Sequence, residues 1–337
     1  MPSADSVTIV VPVLDEEAYI RRAIESLVPP GDRRDFEVIV LDGGSSDHTR
    51  QIVAEMAARD GRIRLVANEA RLQSAAVNKG VRIARATSDV IVRADCHSIY
   101  PAGFVMRAVE ELRSRRVASV VVPVHTAGIS RFQRAVAAAQ NSRLCNGGSP
   151  HRSKVESRHV EHGHHAAFDR CAFMSVDGYD ETFSHNEDAE LDVRLIRSGA
   201  KIWLCSDLAV TYFPRKSVGA LASQYFNYGS GRARTMFKHS RPPKLRQALP
   251  LAVLAMNLGS ATLGMTAGWI FLAPLLAYSA LCLAWGGILA ASERDLACLA
   301  SGFAAAVMHH SWAGGFVYRS AQQLVASRAT VEAARPA

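Results

Sequence analysis

The stretch Asp89-Val-Ile-Val-Arg-Ala-Asp-Cys-His97 decides the fold class of this chain. Its apolar half, residues 90–92, predicts a buried strand. Alternation along a strand places Asp95 and His97 on one face and Cys96 on the other. A carboxylate and an imidazole at the carboxyl end of a strand can hold a divalent metal, and ligands of open α/β sheets bind at that end. An ordinary strand exit with two solvated polar residues explains the triplet alone, so the flanking sequence must decide.

Alternating strands and helices surround this stretch. Continuous apolar runs predict strands over 7–13, 36–41, 62–67, 90–94 and 119–124. Helical spacing of apolar residues predicts helices over 16–27, 47–59, 74–85 and 103–113. Such alternation implies right-handed crossovers and a mostly parallel sheet, hence an α/β fold. Further on, the pattern predicts a strand-like segment over 166–176 and an amphipathic helix over 187–198.

The charge and cysteine content restrict the function classes. The chain has 337 residues, a formal net charge of +8 and a pI near 9.4, which suits an acidic partner such as anionic lipid or a phosphorylated substrate. Its basic residues are scattered, so we predict no nucleic-acid partner. None of the six cysteines forms a C-x-x-C pair, which favours free thiols in a reducing cytoplasm. Residues 1–6 resemble neither a signal peptide nor a transit peptide.

The composition changes sharply in the last third of the chain. Residues 249–291 contain no charged side chain, and a membrane-spanning helix needs about 20 apolar residues, so two spanning helices with a turn near 266–268 are predicted. Basic residues at 241–246 and the polar segment 292–295 would then both face the cytoplasm. The stretch 296–317 is apolar but contains two histidines, and it could span the membrane or lie at its surface. A buried helical hairpin of a soluble domain is the alternative.

Polar residues that follow the predicted strands suggest a nucleotide site. Asp42 and Asp95 end the second and fourth strands, so both should lie at the ligand-binding edge of the sheet. Neither a P-loop nor a G-x-G-x-x-G motif is present. We predict that a base and ribose bind to Asp42, Ser45 and Asp47, and that other polar groups of the ligand meet Arg71, Asn78 and Lys79.

Two further clusters could carry chemistry. Asp95 and His97 would hold Mg²⁺ or Mn²⁺ against two phosphates, and the imidazole favours Mn²⁺. Glu187 and Asp188 open a helix, where a carboxylate stays ionised and can take a proton from an attacking hydroxyl, although helix capping also explains them. The histidine-rich segment 159–165 suggests zinc, but no cysteine or carboxylate completes an obvious site, which favours a mobile loop or polar residues that line a cleft.

The motifs together resemble glycosyltransferase family 2. They are the run 7–17 (Val-Thr-Ile-Val-Val-Pro-Val-Leu-Asp-Glu-Glu), the run 40–49 (Val-Leu-Asp-Gly-Gly-Ser-Ser-Asp-His-Thr), Ala-Asp-Cys-His at 94–97, Gly-Tyr-Asp-Glu at 178–181 and Glu-Asp-Ala-Glu-Leu at 187–191. The resemblance covers residues 7–215. It implies a GT-A fold, a nucleotide-sugar donor, a divalent metal and inversion at the sugar carbon.

The resemblance also assigns residues to roles. It implies catalysis by Asp188 as the base, with Glu187 and Arg232. It adds to the nucleotide-sugar site Pro12, Val13, Asp15, Glu17 and Arg93. It places at the acceptor His164, His165, Gln224, Tyr228 and Arg234. The implied organisation is a GT-A catalytic domain over 1–217, juxtamembrane helices over 218–248, two to three transmembrane helices over 249–318 and a tail over 319–337.

Within the family, the chain is similar to the succinoglycan-biosynthesis type, because of its Asp-Gly-Gly-Ser sequence, His97 and the segment 224–234. That similarity implies transfer of glucose from UDP-glucose in β-1,3 linkage to a polyprenyl-diphosphate-linked sugar at the bacterial inner membrane, with the catalytic domain in the cytoplasm. The motif Gln-x-x-Arg-Trp of processive members is absent, which favours a single addition. The alternatives are another hexose, transfer to polyprenyl phosphate, a sugar nucleotidylyltransferase and a non-catalytic membrane scaffold.

Overall fold

The chain forms two compact units in a computed structural model that describes residues 6–29, 34–146 and 156–333. The first unit contains the described residues up to His125 and those from 156 to Tyr212. The second contains the described residues from Thr126 to 146 and those from Phe213 onward. The segment from Thr126 to 146 therefore groups with the C-terminal helices, whereas the predicted domain over 1–217 included it.

Eleven strands are described, and eight of them form the main sheet. They are β1 (Val7–Val13), β2 (Phe36–Asp42), β3 (Ile63–Ala67), β4 (Val90–Arg93), β5 (Ser98–Ile99), β6 (Ser119–Val122), β7 (Val124–Thr126), β8 (Arg158–Val160), β9 (His164–Asp169), β10 (Ile202–Leu204) and β11 (Val210–Tyr212). The order in the main sheet is β3-β2-β1-β4-β9-β6-β10-β8, and a small sheet has the order β5-β11-β7.

The main sheet is mostly parallel, as predicted. Strands β1 to β4 pair in parallel, with Val7 opposite both Phe36 and Val90. Strand β9 runs antiparallel between β4 and β6, and β8 runs antiparallel at the edge beside β10. The sequence pattern did not predict these two reversals. Strand β9 matters for the site because it places His164 beside the end of β4.

Twelve helices are described. They are α1 (Ile20–Leu27), α2 (Thr49–Arg59), α3 (Gln73–Ile83), α4 (Phe104–Arg115), α5 (Arg131–Asn141), α6 (Arg143–Asn146), α7 (Arg170–Ser175), α8 (Glu187–Arg197), α9 (Val218–His239), α10 (Leu245–Thr266), α11 (Ala273–Glu293) and α12 (Ser301–Ala333). Those of the first unit cover both faces of the main sheet. Side chains alternate along β1, so Ile9 packs on one face with α1, α2 and α4, while Val10 packs on the other with α3.

The strand-like segment predicted over 166–176 is partly wrong. Strand β9 ends at Asp169, and α7 begins at the next residue. The Asp169 carboxylate accepts a hydrogen bond from the Ala172 backbone N–H at 2.7 Å and so caps the new helix. An apolar run does not distinguish a strand from a short helix, but the capping residue does.

The second unit is helical and contains two apolar helices that could cross a membrane. They are α10 and the segment Trp269–Glu293, and their apolar surfaces are largely exposed. The turn between them, where Gly268 has a φ of +127°, falls at the predicted position. The stretch 296–317 forms a 3₁₀ turn, Leu296–Ala300, and the first part of α12.

Candidate active site

Two loops at the carboxyl ends of β1 and β2 are joined by hydrogen bonds. The Asp15 backbone N–H donates to Ser45 Oγ at 2.9 Å, and the Glu17 backbone N–H donates to Asp47 Oδ2 at 3.0 Å. In return, Glu17 Oε2 accepts from the His48 backbone N–H at 2.9 Å. Four residues predicted to bind the nucleotide sugar are therefore brought together. Pro12 and Val13 lie at the start of the first of these loops, at the end of β1.

The Asp42 carboxylate shapes the second loop. It is 4 % exposed and accepts hydrogen bonds from the backbone N–H groups of Gly44 and Ser45, both at 3.1 Å. Gly44 has a φ of +87°, and a Cβ atom there would lie 3.2 Å from the Arg71 guanidinium. Arg71 thus lies over the turn that Asp42 holds. These two predicted site residues are close to each other at the edge of the sheet.

Asn78 and Lys79, which were predicted to meet the ligand, form hydrogen bonds with other parts of the protein. The Asn78 side chain is buried, donates to the Tyr179 carbonyl at 2.8 Å and accepts from the Tyr179 N–H at 2.8 Å. The Lys79 ammonium donates to the Ala67 carbonyl and to Glu69, each at 2.8 Å. Helix α3 can bring Asn78 this close because Gly80 faces β1, where a Cβ atom would lie 2.6 Å from Val10 Cγ1.

Three carboxylates surround one buried arginine at the carboxyl edge of the sheet. Arg93, the last residue of β4, is 4 % exposed and forms an ion pair with Asp188. Its Nη2 lies 3.5 Å from Asp95 Oδ1 and 3.7 Å from Glu187 Oε1. We call Asp95, Glu187 and Asp188 the acid cluster. The predicted contact of Arg93 with the nucleotide sugar stays a prediction, beside the pairing that the structure shows.

Helix α8 brings two members of the acid cluster to Arg93. Asn186, directly before the helix, has a φ of +62°, and Glu187 and Asp188 occupy the first turn. A helix N-terminus favours negative charge, which is consistent with acids at this position. Asp188 also receives a hydrogen bond from the Tyr179 hydroxyl at 2.6 Å, and Arg93 donates to the same hydroxyl at 2.9 Å.

The two neighbouring acids of α8 have opposite pKa shifts. Burial and then the nearby Asp188 carboxylate raise the pKa of Glu187. Burial also opposes ionisation of Asp188, but the Arg93 guanidinium, the nearby His165 and His164 rings and the Tyr179 hydroxyl together outweigh it and lower the pKa of Asp188. Asp188 is therefore an anion at neutral pH. The acid cluster as a whole has more negative charge than Arg93 neutralises.

Asp95 has an imidazole close by, but it is not the one predicted. Asp95 Oδ2 lies 3.6 Å from His164 Nε2, and its Oδ1 accepts from the Gln73 amide at 2.8 Å. The His97 ring lies 3.3 Å from Glu16 Oε1. Burial lowers the pKa of His164, so its ring is neutral near pH 7 and able to bind a metal. Among residues 6–29, 34–146 and 156–333, no three His, Cys, Asp or Glu side chains converge as a ready-made metal site.

His165, predicted to contact the acceptor, is buried instead. Its side chain is fully enclosed, with Nδ1 2.7 Å from Ser119 Oγ and Nε2 3.0 Å from Asp192 Oδ1. His165 therefore has no exposed surface that an acceptor could contact. His162 Nδ1 also bonds to Asp192, at 2.6 Å. The sequence pattern missed Asp192 and Gln73, although Asp192 follows Asp188 by one helical turn.

The remaining predicted residues lie in the second unit. Arg232 and Arg234 are part of α9, as are Gln224 and Tyr228, whose side chains bond to each other at 3.0 Å. Their catalytic and acceptor roles stay predictions.

Comparison with known proteins identifies the family. Residues 8–177 match glycosyl transferase family 2. The chain is 43 % identical over 314 residues to the succinoglycan biosynthesis protein ExoA of Rhizobium meliloti (strain 1021), which covers 93 % of this chain and 94 % of that protein. The chain belongs to glycosyl transferase family 2. The predicted family and its GT-A fold are thereby confirmed.

The chain is also similar to more distant proteins. The chain is 21 % identical over 253 residues to a Methanococcus voltae protein named dolichyl N-acetyl-alpha-D-glucosaminyl phosphate 3-beta-D-2,3-diacetamido-2,3-dideoxy-beta-D-glucuronosyltransferase, with 67 % of this chain and 72 % of that protein covered. Among solved structures, it resembles the mannosyltransferase PcManGT from Pyrobaculum calidifontis, solved in complex with GDP-Man and Mn²⁺. The TM-score is 0.57 and the identity 19 %, with 94 % of this chain and 88 % of that chain covered. This likeness supports the fold.

Proposed function

We propose that the protein is an inverting hexosyltransferase that transfers glucose from UDP-glucose, in β-1,3 linkage, to a polyprenyl-diphosphate-linked sugar during exopolysaccharide synthesis. The observation that carries the proposal is the acid cluster at the carboxyl edge of the sheet, beside the loops that hold Asp42 and Asp47. The name of the Rhizobium relative supports a role in exopolysaccharide synthesis. Family membership supports the transfer of a sugar.

In the proposed reaction, Asp188 acts as the general base. Its ionised carboxylate takes the proton of the acceptor hydroxyl, and that oxygen attacks C1 of the donor sugar from the face opposite the diphosphate. Asp188 retains about a sixth of its side-chain surface exposed (17 %), whereas the other partners of Arg93 are more enclosed. Arg232 is proposed to assist departure of the diphosphate.

The acid cluster has donor atoms that fit Mg²⁺ or Mn²⁺. Asp95 supplies a carboxylate, and Nε2 of the neutral His164 ring lies 3.6 Å from it. The predicted ligand His97, two residues after Asp95 in the chain, is a second imidazole. One or two carboxylates together with substrate phosphates commonly suffice for such an ion. When bound, it would offset the charge that develops on the diphosphate leaving group.

The acceptor side is proposed to involve the membrane. The apolar helices α10 and α11 would anchor the protein in the bacterial inner membrane, with the first unit in the cytoplasm. Basic residues at 241–246 precede these helices and suit the anionic headgroup of a lipid carrier. The acceptor contacts are proposed to be Gln224, Tyr228, Arg234 and His164.

A donor screen tests the proposal. Membranes that contain the full chain are incubated with labelled UDP-glucose, other nucleotide hexoses and a lipid extract. We expect UDP release and labelled lipid with UDP-glucose, and a β-1,3 linkage by NMR. A different preferred hexose would replace glucose, and label on polyprenyl phosphate itself would change the acceptor. Release of pyrophosphate would indicate nucleotidyl transfer, and no release would indicate a scaffold.

Replacement of the base should have the largest effect on turnover. Asp188→Asn should lower kcat by about 10²–10⁴-fold, because an amide cannot accept the hydroxyl proton. The Kd for UDP, measured by calorimetry, should change little. Asp207→Asn is the matched control, since Asp207 is an exposed aspartate paired with Arg107. Equal turnover in Asp188→Asn and wild type would exclude Asp188 as the base.

A further inference from the structure

We infer that Arg93 and Tyr179 are positioning residues that hold one oxygen of Asp188 so that the other oxygen faces the acceptor hydroxyl. We call these two residues the Asp188 clamp. The inference rests on the proposed role of Asp188 as the base. It assigns to Tyr179 a part in the reaction, and it gives Arg93 a part other than contact with the nucleotide sugar.

The hydrogen bonds to Asp188 are distributed unequally between its two oxygens. Arg93 Nη1 and the Tyr179 hydroxyl both donate to Oδ1, the latter at 2.6 Å. No residue in the described part of the chain donates a hydrogen bond to Oδ2, and the side chain retains 17 % of its surface exposed. Oδ1 is therefore the anchored oxygen, and Oδ2 is the one left to accept a proton.

Other residues hold both the backbone and the ring of Tyr179 in place. Its backbone N–H and carbonyl form two hydrogen bonds, both 2.8 Å long, with the side chain of Asn78. Its ring packs at right angles to Phe173 and Phe168, with centroids 5.5 Å and 6.2 Å away. Both ends of the residue are thus fixed, so the hydroxyl has a defined position from which to bond Asp188.

Arg93 is similarly confined. Its guanidinium is buried, lies 5.6 Å from the centroid of the Tyr179 ring and donates to the Tyr179 hydroxyl at 2.9 Å. Arginine remains charged at every relevant pH and donates in a fixed planar geometry. The two members of the clamp therefore support each other as well as Asp188.

Orientation is the expected gain from this arrangement. The terminal torsion of an aspartate is broad, so an unrestrained carboxylate samples many directions. A misplacement of about 1 Å at a reacting group can cost about 10²-fold in rate. The ion pair with Arg93 makes Asp188 a weaker base, and the fixed direction of Oδ2 offsets that loss. A clamp of this kind should affect kcat and leave donor binding unchanged.

A double-mutant cycle tests the inference with Tyr179→Phe, Asp188→Asn and the double variant. Tyr179→Phe removes only the hydroxyl and should lower kcat by about 10-fold, with KM for the nucleotide sugar within about 2-fold of wild type. In the Asp188→Asn background the same change should have no further effect on kcat. An effect on KM alone would overturn the inference, and so would a full additional loss in the double variant.

A matched control separates this role from a loss of stability. Thr8→Val also removes a hydroxyl that donates to a buried carboxylate, Glu37 at 2.9 Å, but at the amino end of β1. It should leave kcat unchanged. If Tyr179→Phe does not fold, Arg93→Lys tests the same clamp, because it keeps the charge and loses the planar pair of donors; a loss confined to kcat is again expected. Unchanged turnover in Asp188→Asn would refute the proposed base itself, whereas a normal Tyr179→Phe beside an impaired Asp188→Asn would refute only the clamp.

Discussion

The main sheet has one buried acid, Glu37, at the amino edge, where its strands begin, and three acids at the carboxyl edge, where its strands end, and the two sets are neutralised in different ways. At the amino edge, Glu37 alone accepts hydrogen bonds from Thr8 at 2.9 Å, from Arg64 at 2.5 Å and from the Arg85 N–H at 2.9 Å. At the carboxyl edge, the three acids of the acid cluster share Arg93. The Glu37 carboxylate therefore has all of its partners within the protein. The second set retains an excess of negative charge, which a cation from a ligand can offset, so charge balance distinguishes the edge that stabilises the fold from the edge proposed to bind a ligand.

Loss of the shared arginine should show the largest difference in stability between the two edges. Arg93→Met leaves three acids without their cation, and breaking a buried pair costs about 3–5 kcal/mol. Arg64→Met removes a partner of Glu37 that is 47 % exposed, and it should cost about 1 kcal/mol. Denaturant unfolding of the full chain in detergent measures both. Equal losses in the two variants would contradict the proposed contrast.

Divalent-ion binding should depend on the carboxyl edge alone. Asp95→Ala should weaken Mn²⁺ binding in the presence of UDP by at least about 10-fold, because it removes the carboxylate ligand. Glu37→Gln, at the other edge, should leave the Kd for Mn²⁺ unchanged. Calorimetric titration gives both values. The single changes His97→Ala and His164→Ala then identify which imidazole joins Asp95, and an unaltered Kd in Asp95→Ala would remove the metal from this site.

The pH dependence of stability should have opposite signs for Glu187 at the carboxyl edge and for Glu37 at the amino edge. Burial and then the Asp188 carboxylate raise the pKa of Glu187 in the folded protein. The contribution of Glu187 therefore lowers the free energy of unfolding as the pH rises above the pKa of Glu187 in the unfolded chain. Burial opposes ionisation of Glu37 too, but the Arg85 N–H and the Arg64 and Thr8 side chains lower the pKa of Glu37, so its stabilisation is present at neutral pH and is lost as the pH falls.

Two substitutions measure this difference in a chelating buffer. Glu187→Gln should stabilise the chain by about 1–2 kcal/mol near pH 8 and by much less near pH 5. Glu37→Gln should destabilise it near pH 8, with the loss shrinking toward about pH 4. The same sign for both variants near pH 8 would show that the two edges do not differ in this way.

The sequence predicted the elements of the first unit well because strands and helices have distinct periods. It predicted the mostly parallel sheet and the apolar hairpin, and motif order predicted the family. It did not predict that β9 runs antiparallel between β4 and β6, since strand direction depends on contacts between distant segments. The segment after Asp169 was misassigned because a short apolar run fits both a strand and a helix.

Side-chain partners were harder to predict than positions. The sequence correctly placed Asp42 at the end of the second strand and Asp47 at the start of the helix that follows. It could not show that Asn78 bonds to Tyr179, about a hundred residues away, or that Arg93 pairs with Asp188. A polar residue at a ligand-binding edge can contact the ligand directly, or it can hold in place a loop that contacts the ligand. Sequence spacing alone does not distinguish these two roles.

Helix α3 packs closely against β1 at Gly80, so the geometry of the active site depends on the absence of a side chain at this position. Any side chain at residue 80 must push the helix outward, since a Cβ atom there would lie 2.6 Å from Val10. Two residues before it stands Asn78, which sets the backbone of Tyr179. A methyl group at residue 80 should therefore displace Asn78, and through Tyr179 it should change the direction of the proton-accepting oxygen of Asp188. Natural variation at this site should be rare among chains that keep the same tyrosine and asparagine.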